Sequence, residues 1–510
     1  PGGGRRAPLL AAGQSAAGPD RTPGARRRGP RGARPGLVAA ASGCQADPTM
    51  SASAGRESKG LLGRLYMRLG LESPPARAWA VYDFANSAFI TTVVAALFPI
   101  YFESVAARDL SERDATALFS WSTTLALVLT ALLNPLLGPV ADFLAWRKRF
   151  FAAFLALGVL ATSGLFFVGH GQALLAALLF GLANVGAAGS FVFYDALLPH
   201  VAPPERIDRL SSTGYALGYL GGGLLLAVNL LWIQHPAWFG LPAGEDLSPA
   251  EQTLPARLAF LSVALWWALF SLPLLRWVPE PPRFVEADEH GGQSGLRVAF
   301  TRLRETFAEL RQHRDAGLML LAFLLYNDGI STIFRMAAWF GAQRGFESNV
   351  LIGSILLVQA LGVPCALGFA GLARRLSAKT AILIGVLSYL GITLLAFWMS
   401  NETHFLLLAV AVGLVMGGTQ ALSRSLFASL IPKHKSGEYF ALFGVLEKFA
   451  GIFGPLLFAV TAGALPEGRQ HFAVLTIAPF FLLGALLLWR VNVPRGQARA
   501  RALEAATEAV

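Results

Sequence analysis

The sequence predicts an all-α membrane protein of twelve transmembrane helices in two six-helix halves, with both termini cytoplasmic. Three observations predict it. The 510 residues are 54% hydrophobic and only 14% charged, against about 25% charged in a typical soluble domain. Twelve apolar segments, each long enough to cross a hydrocarbon core of about 30 Å, run through the chain. Lys and Arg crowd the loops of one side, which fixes the orientation.

The segments fall at roughly 79–102, 118–142, 150–168, 172–198, 210–233, 256–278, 316–342, 349–373, 380–400, 404–431, 438–462 and 471–493. In lipid a helix is the only open secondary structure that satisfies its own backbone. Loops of one side carry 16 Lys and Arg: Arg147, Lys148 and Arg149; Arg206 and Arg209; six Arg between 279 and 315; Arg374, Arg375 and Lys379; Lys433 and Lys435. The other side carries four, Arg108, Arg113, Arg344 and Arg469. The first set is cytoplasmic.

The expected organisation is a leader and cytoplasmic N-terminus over 1–76, a six-helix half over 77–278, a linker over 279–315, a second half over 316–493 and a tail over 494–510. Residues 1–49 hold eight Arg against Asp20 and Asp47, with ten Gly and seven Pro. Such a stretch builds no core. A transit peptide, a lipid-touching basic tail, and upstream sequence before a true start at Met50 compete to explain it. In the linker, Leu296, Phe300, Leu303, Phe307 and Leu310 recur at helical spacing, as in an amphipathic helix on the cytoplasmic face. Cys44 and Cys365 suggest no disulfide framework, and His170, His200, His313 and His404 lack metal-ligand pairing. Nothing calls for a cofactor, a metal or a nucleic-acid partner. No Gly-rich loop followed by Lys supports ATP hydrolysis, and no nucleophile–base pair supports an enzyme.

The halves resemble each other. ALLP at 196–199 closes the fourth helix and ASLIP at 428–432 the tenth, while Tyr82–Asp83 in the first has a counterpart in Tyr326–Asn327–Asp328 in the seventh. Parallel six-helix repeats of this kind characterise the major facilitator superfamily. GPVADFLAWRKR, between the second and third helices, resembles that superfamily's gating loop. Gly138 and Asp142 match it, Phe143 stands where an Arg is usual, and Arg147 and Arg149 supply the later charge. The resemblance implies that Gly138, Asp142, Arg147 and Arg149 help close the cytoplasmic side. A helix-end acid beside a basic loop is the plainer alternative.

A charge inside a spanning helix costs about 2.5–3.5 kcal/mol on insertion scales, so it usually faces a cavity or a partner. Here they are Asp83, Asp195, Asp328, Arg335, Arg424, Glu447 and Lys448. Asp83, Asn86 and Ser87 share a helix face. Arg424 or Lys448 is available for Asp328, and Lys448 for Asp83. Glu447 and Lys448 are adjacent, point about 100° apart and need separate partners. Asp83 and Asp328 are the candidates for protonation during transport, and Asp195, near the cytoplasmic end, for a gating or structural role. Ion pairs that merely fix the bundle would explain the same residues. Gly214, Gly218 and Gly222 repeat every four residues in the fifth helix, which permits close helix approach.

WAVYDFANSAF (79–89) with FPIYF (98–102) resembles the start of the vacuole effluxer-like family of this superfamily. So do FYDALLPHVAPPERIDRLSSTGYALGYLGGGLLL (193–226), ARLAFLSVALWWALFSLPL (256–274), LYNDGISTI (325–333) and GGTQALSRSLFASLIP (417–432). The resemblance covers about 77–493. It implies that Asp83, Asn86, Ser87, Asn327, Asp328, Arg424 and Lys448 line a substrate or coupling site; Arg335 and Glu447 look less typical. It further implies a secondary active transporter, with amino acids or small peptides as substrate, by analogy with the fungal vacuolar amino-acid effluxers. Protons would be a coupling partner and the lipid bilayer the surroundings, and the protein would act as a monomer. A bacterial member would sit in the inner membrane, and a eukaryotic one in an organelle or vacuolar membrane. A non-transporting sensor or scaffold on the same fold, or a transporter of sugars or drugs, remain alternatives.

Overall fold

The computed structural model describes residues 61–283, 301 and 313–508, apart from 245, 344–345, 451 and 467–469. The leader, the linker's amphipathic stretch and the Arg335 side chain lie outside the described residues. The described elements are all helical, and twelve helices are long and apolar enough to cross a membrane. The chain enters the first span and leaves the twelfth on the cytoplasmic side.

Helix α1 (Leu61–Leu69) precedes the bundle and is held beneath the fifth span, where Thr213 donates to the Leu69 carbonyl at 2.7 Å. Ser73 caps α2 (Pro74–Ala88), with prolines in the first turn where no N–H is needed. The first span then changes winding. Phe89–Leu97 is a nine-residue π-helix, and the Phe98 N–H reaches back five residues to the Val93 carbonyl. The β-branched run Ile90–Val94 and Pro99 explain the weakness of α winding here. The second to sixth spans are α3 (Glu112–Leu144), α4 (Arg147–Gly164), α5 (Ala173–Val201), α6 (Ile207–Gln234) and α7 (Pro249–Trp277). Ser248 and Glu251 form a capping box at the start of α7.

The second half holds α8 (Arg314–Gln343), α9 (Ser348–Leu376), α10 (Ala378–Ala396), α11 (Glu402–Ser429), α12 (Ser436–Phe449), α13 (Phe453–Ala464) and α14 (Ala478–Arg490). The eleventh segment, expected as one helix, is two. α12 ends at Phe449 and α13 resumes at Phe453, because Gly454 and Pro455 interrupt the ladder. Helix α15 (Val493–Glu508) docks under this half through a bidentate Arg495–Asp315 pair at 2.6 and 2.8 Å. That pairing raises the pKa of the Arg495 guanidinium.

The repeat is visible in one bond. Tyr82 donates to Ser190 at 2.7 Å in the first half, and the Tyr326 and Ser423 hydroxyls lie 2.6 Å apart in the second. Aligning the two helix-closing motifs on Pro199 and Pro432 brings Ser190 and Ser423 into register. In this register Asn327, not Asp328, occupies the position of Asp83. Asp328 faces the break in the eleventh span, where a Cβ on Gly454 would lie 3.2 Å from its Oδ2.

The halves meet along α6 with α9 and α11, and along α12 with α3 and α5. Tyr219 of α6 wedges against Gly362 of α9 and Gly417 of α11. Gly138 of α3 lies so close to α12 that a Cβ there would stand 2.6 Å from the Gly437 carbonyl oxygen. The seam is shut on the cytoplasmic side.

Candidate functional site

Arg424 of α11 is 1% exposed and sits at the seam, about 8 Å from the cytoplasmic end of its helix. Its Nη2 donates to Asp83 Oδ2 of α2 at 3.0 Å and its Nη1 to Asp195 Oδ1 of α5 at 3.1 Å. Nε donates to the Ser211 hydroxyl at 2.9 Å, and Nη2 also to the Ser211 carbonyl at 3.1 Å. The planar fork thus ties one residue of the second half to three helices of the first, which a lysine's point charge could not reproduce.

Aromatic rings wall the group in. The guanidinium carbon lies 4.5 Å from the Tyr215 ring centre, 4.8 Å from Trp79 and 5.5 Å from Tyr194, within cation–π range. Trp79 and Tyr194 stack at 4.4 Å, and Trp79 Nε1 donates to the Tyr194 carbonyl at 2.9 Å. The Tyr194 hydroxyl donates to Asp83 Oδ2 at 2.8 Å. One cation therefore faces two carboxylates, 4% and 6% exposed, in a pocket of aromatic faces.

The glycine stripe of α6 makes room for this arrangement. A Cβ on Gly214 would collide with Asp83 Oδ2 and lie 3.2 Å from Arg424 Nη2; one on Gly218 would lie 2.6 Å from Ser87 Oγ, and one on Gly222 2.6 Å from Thr91 Oγ1. Asp83, Ser87 and Thr91 are spaced by four, so a polar stripe of the first span lies against the bare stripe of the fifth. Gly214→Ala is expected to lower stability by about 1–3 kcal/mol through overpacking and to impair transport. A melting temperature and a transport rate equal to those of the parent would contradict this packing.

A second polar layer closes the cytoplasmic mouth. Asp142 at the end of α3 pairs with Arg147 at 2.6 Å and accepts the backbone N–H groups of Gly437 and Glu438 at 3.2 and 3.1 Å. Both charged side chains are fully buried, and Arg147 Nη2 reaches the His434 carbonyl at 2.9 Å. These two charges of the first half thus hold the turn between the tenth and eleventh spans. His200 lies 3.2 Å from the Ser436 hydroxyl, and Ser425 donates to Asp208 at 2.6 Å, each across the seam. Beside the mouth, Glu280 accepts the Lys148 N–H at 2.9 Å, and burial raises its pKa above the ordinary carboxylate value.

Other expected residues fall elsewhere. Arg149 is exposed and lies over the Trp146 ring, away from this layer, because the first turn of α4 carries it to the opposite face from Arg147. Asn86 is fully buried and donates to the Tyr82 hydroxyl at 2.9 Å, so its amide turns toward the α2–α5 packing and not toward Arg424. Arg424, offered to Asp328 by sequence, is taken by Asp83 and Asp195. Glu447 and Lys448, expected to need separate partners, lie 3.4 Å from one another at the end of α12, where long side chains bridge the 100° between their origins. Asn327 and Asp328 are buried in α8, 3% and 1% exposed. Trp79, Tyr194, Tyr215 and Ser211 were not singled out by sequence, although all four lie in the motif stretches that carry the family resemblance.

Comparison with known proteins fits this architecture. Residues 109–501 match the family model described as "Vacuole effluxer Atg22 like". An uncharacterized MFS-type transporter, YxiO of Bacillus subtilis, is 33% identical over 412 residues, covering 81% of this chain and 93% of that protein. Autophagy-related protein 22 of Yarrowia lipolytica is 28% identical over 326 residues, covering 59% of this chain and 53% of that protein. Autophagy-related protein 22-1 of Aspergillus fumigatus is 29% identical over 319 residues, covering 58% and 50%. The matched stretch thus spans about half the length of these fungal relatives. Among solved structures, the human organic anion transporter MFSD10 superposes with a TM-score of 0.62 at 16% identity, covering 81% of this chain and 99% of that one. A bacterial homologue of the iron transporter ferroportin in an outward-facing state gives 0.57 at 17% identity, covering 82% and 98%. At such identities these two speak for the fold alone. The chain, a multi-pass membrane transporter with the major facilitator fold, belongs to the vacuole effluxer Atg22-like family.

Proposed function

We propose that the protein is a secondary active transporter of amino acids or small peptides, working by alternating access and coupled to protons at the Asp83–Asp195–Arg424 cluster. The observation that carries this is the charge count at the seam. With both carboxylates ionised the cluster bears one uncompensated negative charge, which is costly when buried. A single proton removes it in the closed seam, whereas opening the seam lets water solvate the acids, which then need no proton. Proton binding and seam closure therefore favour one another.

The family description and the names of the fungal relatives support an efflux role. Fixed charges of both signs suit a zwitterion, whose carboxylate and ammonium groups each need a partner. The two rocking bodies are residues 77–278 and 316–493, joined by 279–315. The protein acts as a monomer in the inner membrane if bacterial, or in an organelle or vacuolar membrane if eukaryotic.

The test is transport in proteoliposomes under an imposed proton gradient, with a panel of amino acids, dipeptides, a sugar and a cationic drug. Wild type, Asp83→Asn, Asp195→Asn and Asp328→Asn are compared. Amino-acid flux that follows the gradient and is uncoupled in Asp83→Asn or Asp195→Asn is the expected result. Flux indifferent to the gradient would remove proton coupling. No flux of any solute would favour a sensor or scaffold in which these ion pairs only hold the bundle.

A further inference from the structure

The first span carries an anomaly that the Arg424 cluster does not explain. Six buried threonines, Thr130, Thr162, Thr253, Thr332, Thr393 and Thr419, each donate to the carbonyl four residues earlier, at 2.7–3.1 Å. That bond is the usual refuge of a hydroxyl in an α-helix within lipid. Thr92 is fully buried, yet its hydroxyl has no hydrogen-bond partner. It lies in the π-wound stretch and makes no bond to the Ala88 carbonyl four residues back, as the wider turn of a π-helix would explain.

The adjacent hydroxyl behaves in the opposite way. Thr91 Oγ1 accepts Gln359 Nε2 of α9 at 3.0 Å, a bond across the seam between two buried side chains. Gly222 and Gly223 leave space for it, since Cβ atoms there would stand 3.1 Å from Gln359 Nε2 and 3.2 Å from its Cβ. Thr91 is thus satisfied across the closed seam, whereas Thr92 has no hydrogen-bond partner.

We propose that Phe89–Leu97 is a winding hinge that is π-helical while the cytoplasmic side is closed and returns to α-helix as it opens. The return gives Thr92 the Ala88 carbonyl. It also turns the outer part of the span by on the order of 100°, the arc of one residue, which takes Thr91 away from Gln359. The hinge begins six residues, nearly two turns, beyond Asp83, so the span that carries the coupling carboxylate would change shape with the seam. This rests on the alternating-access reading above.

The two threonines should then bias the equilibrium in opposite directions. Spin labels on Glu205→Cys and Arg375→Cys, exposed positions near the cytoplasmic ends of the two halves, report closed and open distances in lipid nanodiscs, with Cys44 and Cys365 changed to serine. Thr92→Val removes the wanting hydroxyl and is expected to raise the closed-to-open ratio about three- to tenfold, the worth of one net hydrogen bond. Thr91→Val is expected to lower that ratio by a similar factor. Shifts of the same sign, or melting temperatures that change while both ratios stay fixed, would overturn the hinge. Arg147→Gln serves as the opening control. If it fails to open the protein even with Gly138→Leu added to break the contact with Gly437, alternating access falls and the hinge with it; if it opens while the threonine variants do not diverge, the hinge alone falls.

Discussion

Arg424→Gln is expected to abolish transport and to lower stability by about 3–5 kcal/mol, the cost of leaving buried carboxylates without their cation. Asp83 and Asp195 sit at 4% and 6% exposure, and the Tyr194 hydroxyl alone cannot replace a guanidinium for Asp83. Arg424→Lys should recover only part of the loss, because one ammonium cannot reach Asp83, Asp195 and both oxygens of Ser211 in the same plane. Neutralising all three groups, as Asp83→Asn with Asp195→Asn and Arg424→Gln, should return most of the stability without returning transport. Thermal unfolding in detergent followed by tryptophan fluorescence, beside flux measurements, separates these outcomes. A triple variant no more stable than Arg424→Gln would show that packing against Trp79 and Tyr215, and not charge, dominates the site.

Asp142→Ala is expected to favour the cytoplasm-open state by about 2–3 kcal/mol, roughly 30- to 150-fold. The substitution removes the acceptor of two backbone N–H groups from the opposite half and leaves the fully buried Arg147 without its carboxylate. Nothing larger than a methyl group would then fill the space between α3 and the start of α12. A cysteine at Ser425, buried at the seam beside Asp208, should be alkylated faster in proportion to the open population. An unchanged alkylation rate would mean that the glycine contacts between Gly138 and Gly437 hold the mouth without Asp142.

Twelve spans, their orientation and the family were legible because hydropathy and loop charge are written along one dimension. Gly138, Asp142 and Arg147 were legible as a motif, and the structure brings these three together while leaving Arg149 outside. The partner of Arg424 was not legible. Sequence offered several acids, and the choice depends on which helices adjoin at the seam. Asn86 shows the same limit: sharing a face with Asp83 to within 60° still leaves room for its amide to turn toward Tyr82. The broken eleventh span was hinted at by Gly454 and Pro455 but hidden by continuous hydropathy. The winding of the first span had only the run Ile90–Val94 and Pro99 to announce it. Gln359 was not singled out by sequence, since the space it occupies is defined by glycines more than 130 positions away.

The seam also sets a schedule for biogenesis. Asp83 and Asp195 belong to the half made first, and Arg424 follows Asp195 by 229 residues. At about 5–20 residues per second, Asp195 waits roughly 10–50 s before its counter-charge is synthesised. During that interval both acids are unmatched, so the nascent half depends on protonation, water or a membrane chaperone to stay inserted. Separately expressed halves should therefore assemble best when translated together, and the first half alone should be the preferred substrate of membrane quality control.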